Sequence, residues 1–218
     1  VGVLDSYFPN ADFFTEFERF DRHLDKLKRQ GIKIDYVSIC SPNYLHDSHI
    51  RFALRHHAEA ICEKPIVLNP WNIDALQEIE NETGHKIYTV LQLRLHPKIQ
   101  ELYDRIRNGP KGKVYDVDLS YVTSRGNSYS ISWKGDVHKS GGVPTNIGIH
   151  FFDMLMWIFG EVKENIVLDN FCYYNICCSF SLEWILPWCI LHYGRIYNRT
   201  KDECPCSNNC NRICFSEC

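Results

Sequence analysis

Residues 139–160 carry side chains that could do acid–base chemistry. The Gly141-Gly142 pair predicts a turn, and the apolar residues that follow predict one long helix. In that helix Asn146, His150 and Asp153 follow the spacing i, i+4 and i+7, which places them on one face. An imidazole titrates near neutral pH, so His150 predicts proton transfer to or from a small substrate. The alternative is that the glycine segment only caps the helix and that His150 is a hydrogen-bonded histidine of the core.

Polar residues also follow each of three strand-like runs in the first half of the chain. In α/β sheets with parallel strands, ligands bind at the carboxyl ends of the strands. A ligand site is therefore predicted where these three segments meet. They are Ser41-Pro42-Asn43, Glu63-Lys64-Pro65 and Gln92-Leu93-Arg94.

The elements that must position these residues alternate between helix and strand. Three strands joined by two crossover helices predict a right-handed parallel arrangement, as in α/β proteins. Asn69-Pro70 predicts the start of the second crossover helix. Helices are predicted over 13–31, 46–57, 71–84 and 97–109, and strands over 32–40, 59–63 and 86–95.

A second domain is predicted to begin near Pro97. Strict alternation over 113–124 predicts a half-exposed strand of an antiparallel sheet, with Tyr115 and Val117 on one face and Asp116 on the other. The segment 124–142 is then predicted to be a polar, aromatic loop. It offers ligand contacts, or only a solvated connection.

Composition limits the partners. With 44% hydrophobic residues among 218 and a net charge of -3, the chain is globular and has no basic run for a nucleic acid or an anionic membrane. Only Cys40 and Cys62 precede position 171, which favours a cytoplasmic protein. Val1 is not followed by a charged-then-apolar leader, so no secretion signal is expected and the start is interpreted as a truncation.

Residues 171–218 form an atypical cysteine-rich tail that holds nine of the eleven cysteines. Loss of alternation there favours a shifted reading frame, and the alternative is a genuine cysteine-rich extension. Zinc sites usually combine two tight cysteine pairs, which this tail lacks, so no metal is predicted. Its apolar part is interrupted by polar residues, so no membrane span is predicted.

Four motifs occur in a familiar order: VSICSPNYLH, AICEKP, LQLRLHP and GGVPTNIGIHFFDML. They resemble the glucose-fructose oxidoreductase and inositol dehydrogenase family (Gfo/Idh/MocA) over roughly residues 1–170. RGNSYSISWKGD, KSGG and NIGIHFFDML are most similar to that family's UDP-N-acetylglucosaminuronate 3-dehydrogenases of lipopolysaccharide O-antigen synthesis, which oxidise the sugar 3-hydroxyl with NAD.

The resemblance implies an α/β fold, with an incomplete Rossmann-type parallel sheet followed by the start of an α+β substrate domain with a mainly antiparallel sheet. The implied boundaries are 1–96 for the partial dinucleotide-binding domain, 97–170 for the partial substrate and catalytic domain, and 171–218 for the tail. The implied cofactor is NAD and the implied substrate is a UDP-sugar uronate. Intact relatives imply a homo-oligomer, a tetramer.

The resemblance also implies roles for individual residues. His150 would be the acid/base and Lys64 would orient the reacting carbinol, although a lysine that caps a strand end is the alternative. Asn146 stands where many relatives have aspartate. The implied cofactor-binding residues are Ser41, Pro42, Asn43, His46, Glu63, Lys64, Pro65 and Gln92. The implied substrate-binding residues are Arg94, Arg125, Lys134, Lys139, Asn146 and His150.

The sequence contains no G-x-G-x-x-G motif, which holds the pyrophosphate in dinucleotide folds. Asp5 comes too late to be the acid that binds the adenosine ribose. Weaker NAD binding than in intact relatives is therefore expected. The alternatives to an active sugar-nucleotide dehydrogenase are an inactive fragment of one and a family member that acts on another sugar or cyclitol.

Overall fold

The computed structural model describes residues 6–119, 121 and 126–162. These residues divide into two compact units. Unit 1 comprises residues 6–41 and 45–90, and unit 2 comprises residues 42–44 and 91–162 where described. The predictions for Arg125 and for the tail over 171–218 lie outside the described residues.

Unit 1 is a three-stranded parallel sheet with helices. The strand order is β1-β2-β3, and both neighbouring pairs are parallel. The predicted α/β fold with a parallel sheet is therefore confirmed. The elements are α1 (Phe17–Arg29), β1 (Tyr36–Ile39), α2 (His46–Arg55), β2 (Glu59–Glu63), α3 (Trp71–Thr83) and β3 (Ile87–Val90).

The core of unit 1 lies between this sheet and its crossover helices. Ile50 and Leu54 of α2 have no exposed surface, because the apolar spacing of α2 turns both toward the sheet. Burial removes water from Cys62 and raises the pKa of its thiol to about 12, so it packs as a small hydrophobe. The buried members of this core are Ile39, Ile50, Ala53, Leu54, Ala60, Cys62, Val67 and Leu76.

The start and end of α3 follow the predicted signals. The side chain of Asn69 accepts a hydrogen bond from the Trp71 backbone N–H at 3.2 Å, which confirms the predicted cap. At the other end, Gly84 adopts φ 75° and its N–H donates to the Glu80 carbonyl at 2.8 Å.

Strands β1 and β3 are shorter than predicted. The ladder runs from Tyr36 opposite Glu59 to Ile39 opposite Cys62, and β3 pairs with β2 only as far as Val90. A strand extends only where its neighbour supplies hydrogen bonds, and β2 has five residues. Residues Gln92–Leu95, predicted as strand, therefore form a 3₁₀ turn instead.

Unit 2 packs helices around a second core. Buried residues of α4 and α7 meet Leu119 there. The elements are a 3₁₀ turn (Gln92–Leu95), α4 (Pro97–Arg107), α5 (Asn127–Ile131), α6 (Val137–Ser140), a π turn (Pro144–Gly148) and α7 (Ile149–Phe159).

In unit 2, the exposure of residues 113–119 alternates as predicted. No strand pairs with them within the described residues, so the antiparallel sheet stays a prediction. A second prediction for unit 2 is wrong. The segment predicted as a loop over 124–142 contains α5 and α6. Asp136 explains α6, because its carboxylate accepts the His138 backbone N–H at 3.0 Å and caps the turn.

Among the described helices, none is long and apolar enough to cross a bilayer. No group of three metal-binding side chains occurs within the part of the chain that the structure describes.

Candidate cofactor and substrate site

The sheet of unit 1 brings four of the predicted cofactor residues to one edge. Strands β1 and β2 are parallel, so their carboxyl ends lie at the same edge of the sheet. Ser41 follows β1, Glu63 ends β2, and Lys64 and Pro65 come next, joined by a cis peptide bond. Ser41, Glu63 and Lys64 are half-buried, which places a hydroxyl, a carboxylate and an ammonium at this edge.

His46 lies beside these residues but is not exposed to a ligand. Its ring has no exposed surface, with Nδ1 2.6 Å from the Pro65 carbonyl and Nε2 2.8 Å from the Ser41 carbonyl. The resemblance implied a cofactor contact, and burial excludes one through the side chain. His46 instead joins the two turns that follow β1 and β2, so it positions Ser41 and Pro65.

Replacing His46 by alanine should lower the free energy of unfolding by about 3 kcal/mol, because the ring's contacts with the Pro65 and Ser41 carbonyls are lost and a cavity forms. Urea denaturation measures the change. His138→Ala is the matched control, since that ring is exposed, and it should cost less than about 0.5 kcal/mol. Equal losses in the two variants would contradict the positioning role.

His49 is a site residue that the sequence reasoning missed. Its Nδ1 lies 2.9 Å from the Ser41 hydroxyl, and its ring stacks on Phe17 at 4.7 Å with 13° between the planes. Burial, and secondarily the nearby His46, lower the pKa of His49. The signal was present in the sequence, because His49 lies one helical turn beyond His46 and therefore on the same side of α2.

The lowered pKa of His49 predicts a pH effect on stability. Below the ordinary value of 6.5 the unfolded chain binds the proton more readily than the folded chain does. Stability should therefore fall as the pH drops through 6.5 and be regained as it rises. Unfolding measured across this range should show a smaller acid loss for His49→Gln than for the unaltered protein. An identical pH dependence in the two proteins would contradict the assignment.

In unit 2, a buried amide network joins three residues. Asn43 is 4% exposed, Asn146 is 8% exposed and Ser140 is fully buried. The Asn43 Nδ2 donates to the Ser140 carbonyl at 2.8 Å and to the Asn146 Oδ1 at 3.3 Å. The resemblance implied that Asn43 binds the cofactor, whereas the structure uses its amide group to hold Ser140 and Asn146.

The glycine turn beside this network is fixed by Ser140. The Ser140 hydroxyl donates to the Asp136 carbonyl at 2.9 Å and accepts the Gly142 N–H at 3.0 Å. Gly141 and Gly142 both adopt positive φ, at 79° and 75°, which confirms the predicted turn.

The helix that carries His150 begins near Pro144, as the sequence predicts, but its first full turn is a π turn. The backbone is helical from residue 142, Pro144–Gly148 form the π turn, and α7 continues from Ile149. Single π turns are frequent at functional sites. His150 is half-buried, and its Nδ1 atom is buried.

Arg94 and Asp153 form a bidentate ion pair. The Arg94 Nε donates to Asp153 Oδ2 at 2.8 Å, and Nη2 donates to Oδ1. Hydrogen bonding to Asp153 raises the pKa of Arg94. Its guanidinium also lies 5.7 Å from the Trp157 ring centroid. Asp153 already balances much of the charge that Arg94 would offer to a substrate carboxylate.

The remaining predicted residues of unit 2 lie on its surface. Gln92 is exposed on the 3₁₀ turn. Lys134 is exposed, with its Nζ 5.7 Å from the Trp133 ring centroid. The Lys139 Nζ lies 3.5 Å from the Asp136 carboxylate and is half-exposed. The roles of these residues toward a substrate stay predictions.

Two parts of the chain match one protein family. Residues 1–91 match the oxidoreductase family's NAD-binding Rossmann fold, and residues 104–168 match the same family's C-terminal alpha/beta domain. Together the two ranges cover more than half of the 218 residues. The prediction of NAD as the cofactor is thereby confirmed at the level of the domain.

Solved structures of the WlbA (WbpB) dehydrogenase from Thermus thermophilus are similar to this chain. The complex with NAD and alpha-ketoglutarate is 46% identical over 83% of this chain and 58% of that chain, with a TM-score of 0.74. The complex with NAD and UDP-GlcNAcA is 49% identical over 76% and 53%, with a TM-score of 0.71.

A more distant relative acts on a different sugar. The D-glucoside 3-dehydrogenase of Escherichia coli (strain K12) is 29% identical over 60% of this chain and 37% of that protein. The chain thus spans between a third and three fifths of the length of these relatives. Its two matched domains, its parallel sheet and its likeness to WlbA agree, and the chain belongs to the Gfo/Idh/MocA oxidoreductase family.

Proposed function

We propose that the protein is an NAD-dependent dehydrogenase that oxidises the 3-hydroxyl of a UDP-N-acetyl-hexuronate in the synthesis of lipopolysaccharide O-antigen sugars. The observation that carries this proposal is the 49% identity to a WlbA dehydrogenase whose structure holds NAD and UDP-GlcNAcA. The D-glucoside relative supports oxidation at the same carbon of a sugar.

The carboxyl edge of the sheet in unit 1 fits a nicotinamide cofactor. Ser41 and Glu63 offer hydrogen-bonding groups there, and Lys64 offers a positive charge beside them. This is the edge at which parallel sheets of this kind bind nucleotides. Bound NAD supplies the hydride acceptor, and the protein supplies placement and electrostatics.

His150 and Lys64 would divide the remaining chemistry. His150 takes the proton of the substrate hydroxyl as general base. Because its Nδ1 is buried, we assign the proton exchange to Nε2. The Lys64 ammonium donates a hydrogen bond to the oxygen as negative charge develops on it.

A UDP-uronate carries negative charge on its phosphates and its carboxylate, which calls for cations. Lys134 and Lys139 supply exposed ammonium groups on unit 2. Arg94 supplies a guanidinium that is already paired with Asp153. We therefore assign it a smaller part than the lysines in binding the negative charge of the substrate. Arg125 belongs to the same proposal. Assembly into a homo-oligomer and a cytoplasmic location also stay predictions.

A second candidate is oxidation of a sugar that carries no nucleotide. The similarity to D-glucoside 3-dehydrogenase favours it, although at 29% identity against 49% for WlbA. The charge of the substrate separates the two candidates, because a plain glucoside has neither a phosphate nor a carboxylate to pair with Lys134 and Lys139.

The test measures NADH formation with UDP-GlcNAcA, UDP-GlcNAc and methyl glucoside. UDP-GlcNAcA should have the highest kcat/KM, about 100-fold above UDP-GlcNAc, since the latter leaves cations that face the carboxylate unpaired. A preference for methyl glucoside would overturn the sugar-nucleotide assignment. No NADH from any of the three would support an inactive chain.

A further inference from the structure

The guanidinium of Arg94 is held by two residues of α7 within unit 2. Its Nε donates to Asp153 Oδ2 at 2.8 Å and its Nη2 donates to Asp153 Oδ1, so two parallel bonds fix the plane of the group. The centroid of the Trp157 ring lies 5.7 Å from the guanidinium carbon. Asp153 and Trp157 are one helical turn apart, so a single face of α7 supplies both contacts.

The Trp157 ring is in turn held by α4. It stacks on Tyr103 with 4.1 Å between the ring centroids and 11° between the ring planes. The Arg107 guanidinium lies 5.3 Å from the Tyr103 centroid, and its Nη2 donates to the Trp157 carbonyl at 3.0 Å. A chain of ring contacts thus runs from Arg94 through Trp157 and Tyr103 to Arg107. These contacts restrain the rotation that an exposed arginine would otherwise have.

One edge of the Arg94 guanidinium stays open to a ligand. An arginine has five N–H donors, and Asp153 takes one from Nε and one from Nη2. Nη1 makes no hydrogen bond or ion pair with any residue that the structure describes, and the Arg94 side chain is 43% exposed. Asp153 lies three residues after His150, so Arg94 is held on the side of α7 that carries His150.

The charge of Asp153 determines which oxygen this open edge suits. The Asp153 side chain is only 14% exposed, so water screens its negative charge less than it would on the open surface. A substrate carboxylate at Nη1 would gain a hydrogen bond but would also be repelled by Asp153 behind the guanidinium. A hydroxyl or carbonyl oxygen would gain the hydrogen bond without that repulsion.

We propose that Asp153 is a specificity-determining residue, which keeps Arg94 as a hydrogen-bond donor to an uncharged oxygen of the substrate sugar. That oxygen belongs to a hydroxyl or to the carbonyl of the N-acetyl group. The uronate carboxylate then pairs with a cation other than Arg94. This inference rests on the proposed function and deepens it, because it divides the recognition of the sugar between different side chains.

Titration calorimetry in the presence of saturating NADH tests the proposal with two sugar nucleotides. UDP-GlcNAc carries a hydroxymethyl group where UDP-GlcNAcA carries the carboxylate. Arg94→Met combined with Asp153→Asn removes both charges at once, so the net charge of the pair stays zero. The Kd of both sugar nucleotides should rise by about 10-fold, and the ratio of the two should change by less than about twofold.

Two results for this double variant would overturn the proposal. A loss of affinity confined to UDP-GlcNAcA would mean that Arg94 binds the carboxylate. Unchanged affinity for both sugar nucleotides would mean that Arg94 contacts neither of them.

Asp153→Asn alone isolates the effect of the charge. The asparagine amide keeps an oxygen that accepts from Arg94, but it leaves the guanidinium charge unbalanced. The Kd of UDP-GlcNAcA should therefore fall by about 10-fold relative to that of UDP-GlcNAc. An unchanged ratio would overturn the role of Asp153.

Asp47→Asn is the matched control for Asp153→Asn. Asp47 forms the same kind of bidentate pair with Arg51, at 2.9 Å and 3.2 Å, on α2 of unit 1. Its replacement makes the same chemical change and should leave the ratio of the two Kd values unaltered. An equal shift in this control would overturn the proposal, because the shift would then follow from net charge alone.

A folding defect and a failure of the proposed function are seen separately. UDP carries no sugar, so it should bind the double variant as tightly as it binds the unaltered protein. A matching loss for UDP would overturn the proposal, because Arg94 and Asp153 would then only stabilise the fold. An unaltered protein that binds UDP-GlcNAcA without forming NADH from NAD would contradict the proposed function alone, whereas one that binds neither sugar nucleotide would contradict both.

Discussion

Replacing His150 by asparagine is expected to lower turnover by about 100-fold or more, because asparagine keeps a polar side chain but cannot take up a proton near neutral pH. The half-buried ring lies in the first turn of α7, directly after the π turn. Steady-state kcat for NADH formation is the measurement. The acidic limb of the kcat/KM profile should disappear in the same variant, since it would report protonation of the base.

His138→Asn provides the matched control for this loss. It makes the same chemical change on the exposed side of α6 and should leave turnover unchanged. Thermal unfolding of both variants separates a folding defect from a chemical one. Near-normal turnover of a folded His150→Asn enzyme would rule out the proton-transfer role.

Replacing Lys64 by methionine is expected to lower kcat by about 100-fold, because methionine preserves the unbranched stem and removes the ammonium that would stabilise developing negative charge. Lys64 is half-buried at the end of β2, where the charge would be less screened than on the open surface. The KM for the sugar should change less than kcat, since the interaction strengthens mainly in the transition state.

Lys98→Met is the control for Lys64. The Lys98 side chain is 76% exposed and pairs with Glu101 at 2.9 Å, so its replacement should leave kcat unaltered. A higher KM with unchanged kcat for Lys64→Met would mean that Lys64 only binds the substrate. Normal kcat and KM would support the alternative, in which Lys64 only caps the end of a strand.

The sequence predicted the sheet of unit 1 well because its signals are local. Alternation of apolar strands with helices, the cap at Asn69 and the stop at Gly84 each depend on a few neighbouring residues. Parallel pairing then follows from chain topology and brings Ser41 and Lys64 to one edge.

Contacts between distant residues could not be predicted in this way. Asn43 and Asn146 are 103 residues apart, and no periodicity relates them. Arg94 and Asp153 are separated by 59 residues. The sequence predicted Arg94 at a ligand site and Asp153 on the helix face that carries His150, without showing that the two pair. The resemblance implied a ligand contact for His46. Its ring is instead buried between the carbonyls of Pro65 and Ser41, which come together only in the fold.

The helix over 144–160 shows a third kind of limit. Its residues have the right spacing for a continuous α-helix, and the spacing does not distinguish that helix from one that begins with a π turn. Gly148 lies at the junction, where an added Cβ would come within 3.0 Å of the Phe152 ring. Gly148 and Phe152 are one helical turn apart, and the glycine leaves room for the ring there.

Transfer of the hydrogen on the sugar C3 tests the central claim most directly. The enzyme is supplied with NAD and UDP-GlcNAcA that carries deuterium at C3, and the NADH formed is examined by mass spectrometry. Oxidation of the 3-hydroxyl requires that the C3 hydrogen leave as hydride, so the NADH should carry deuterium. NADH without deuterium, formed at a normal rate from the labelled sugar, would contradict oxidation at C3.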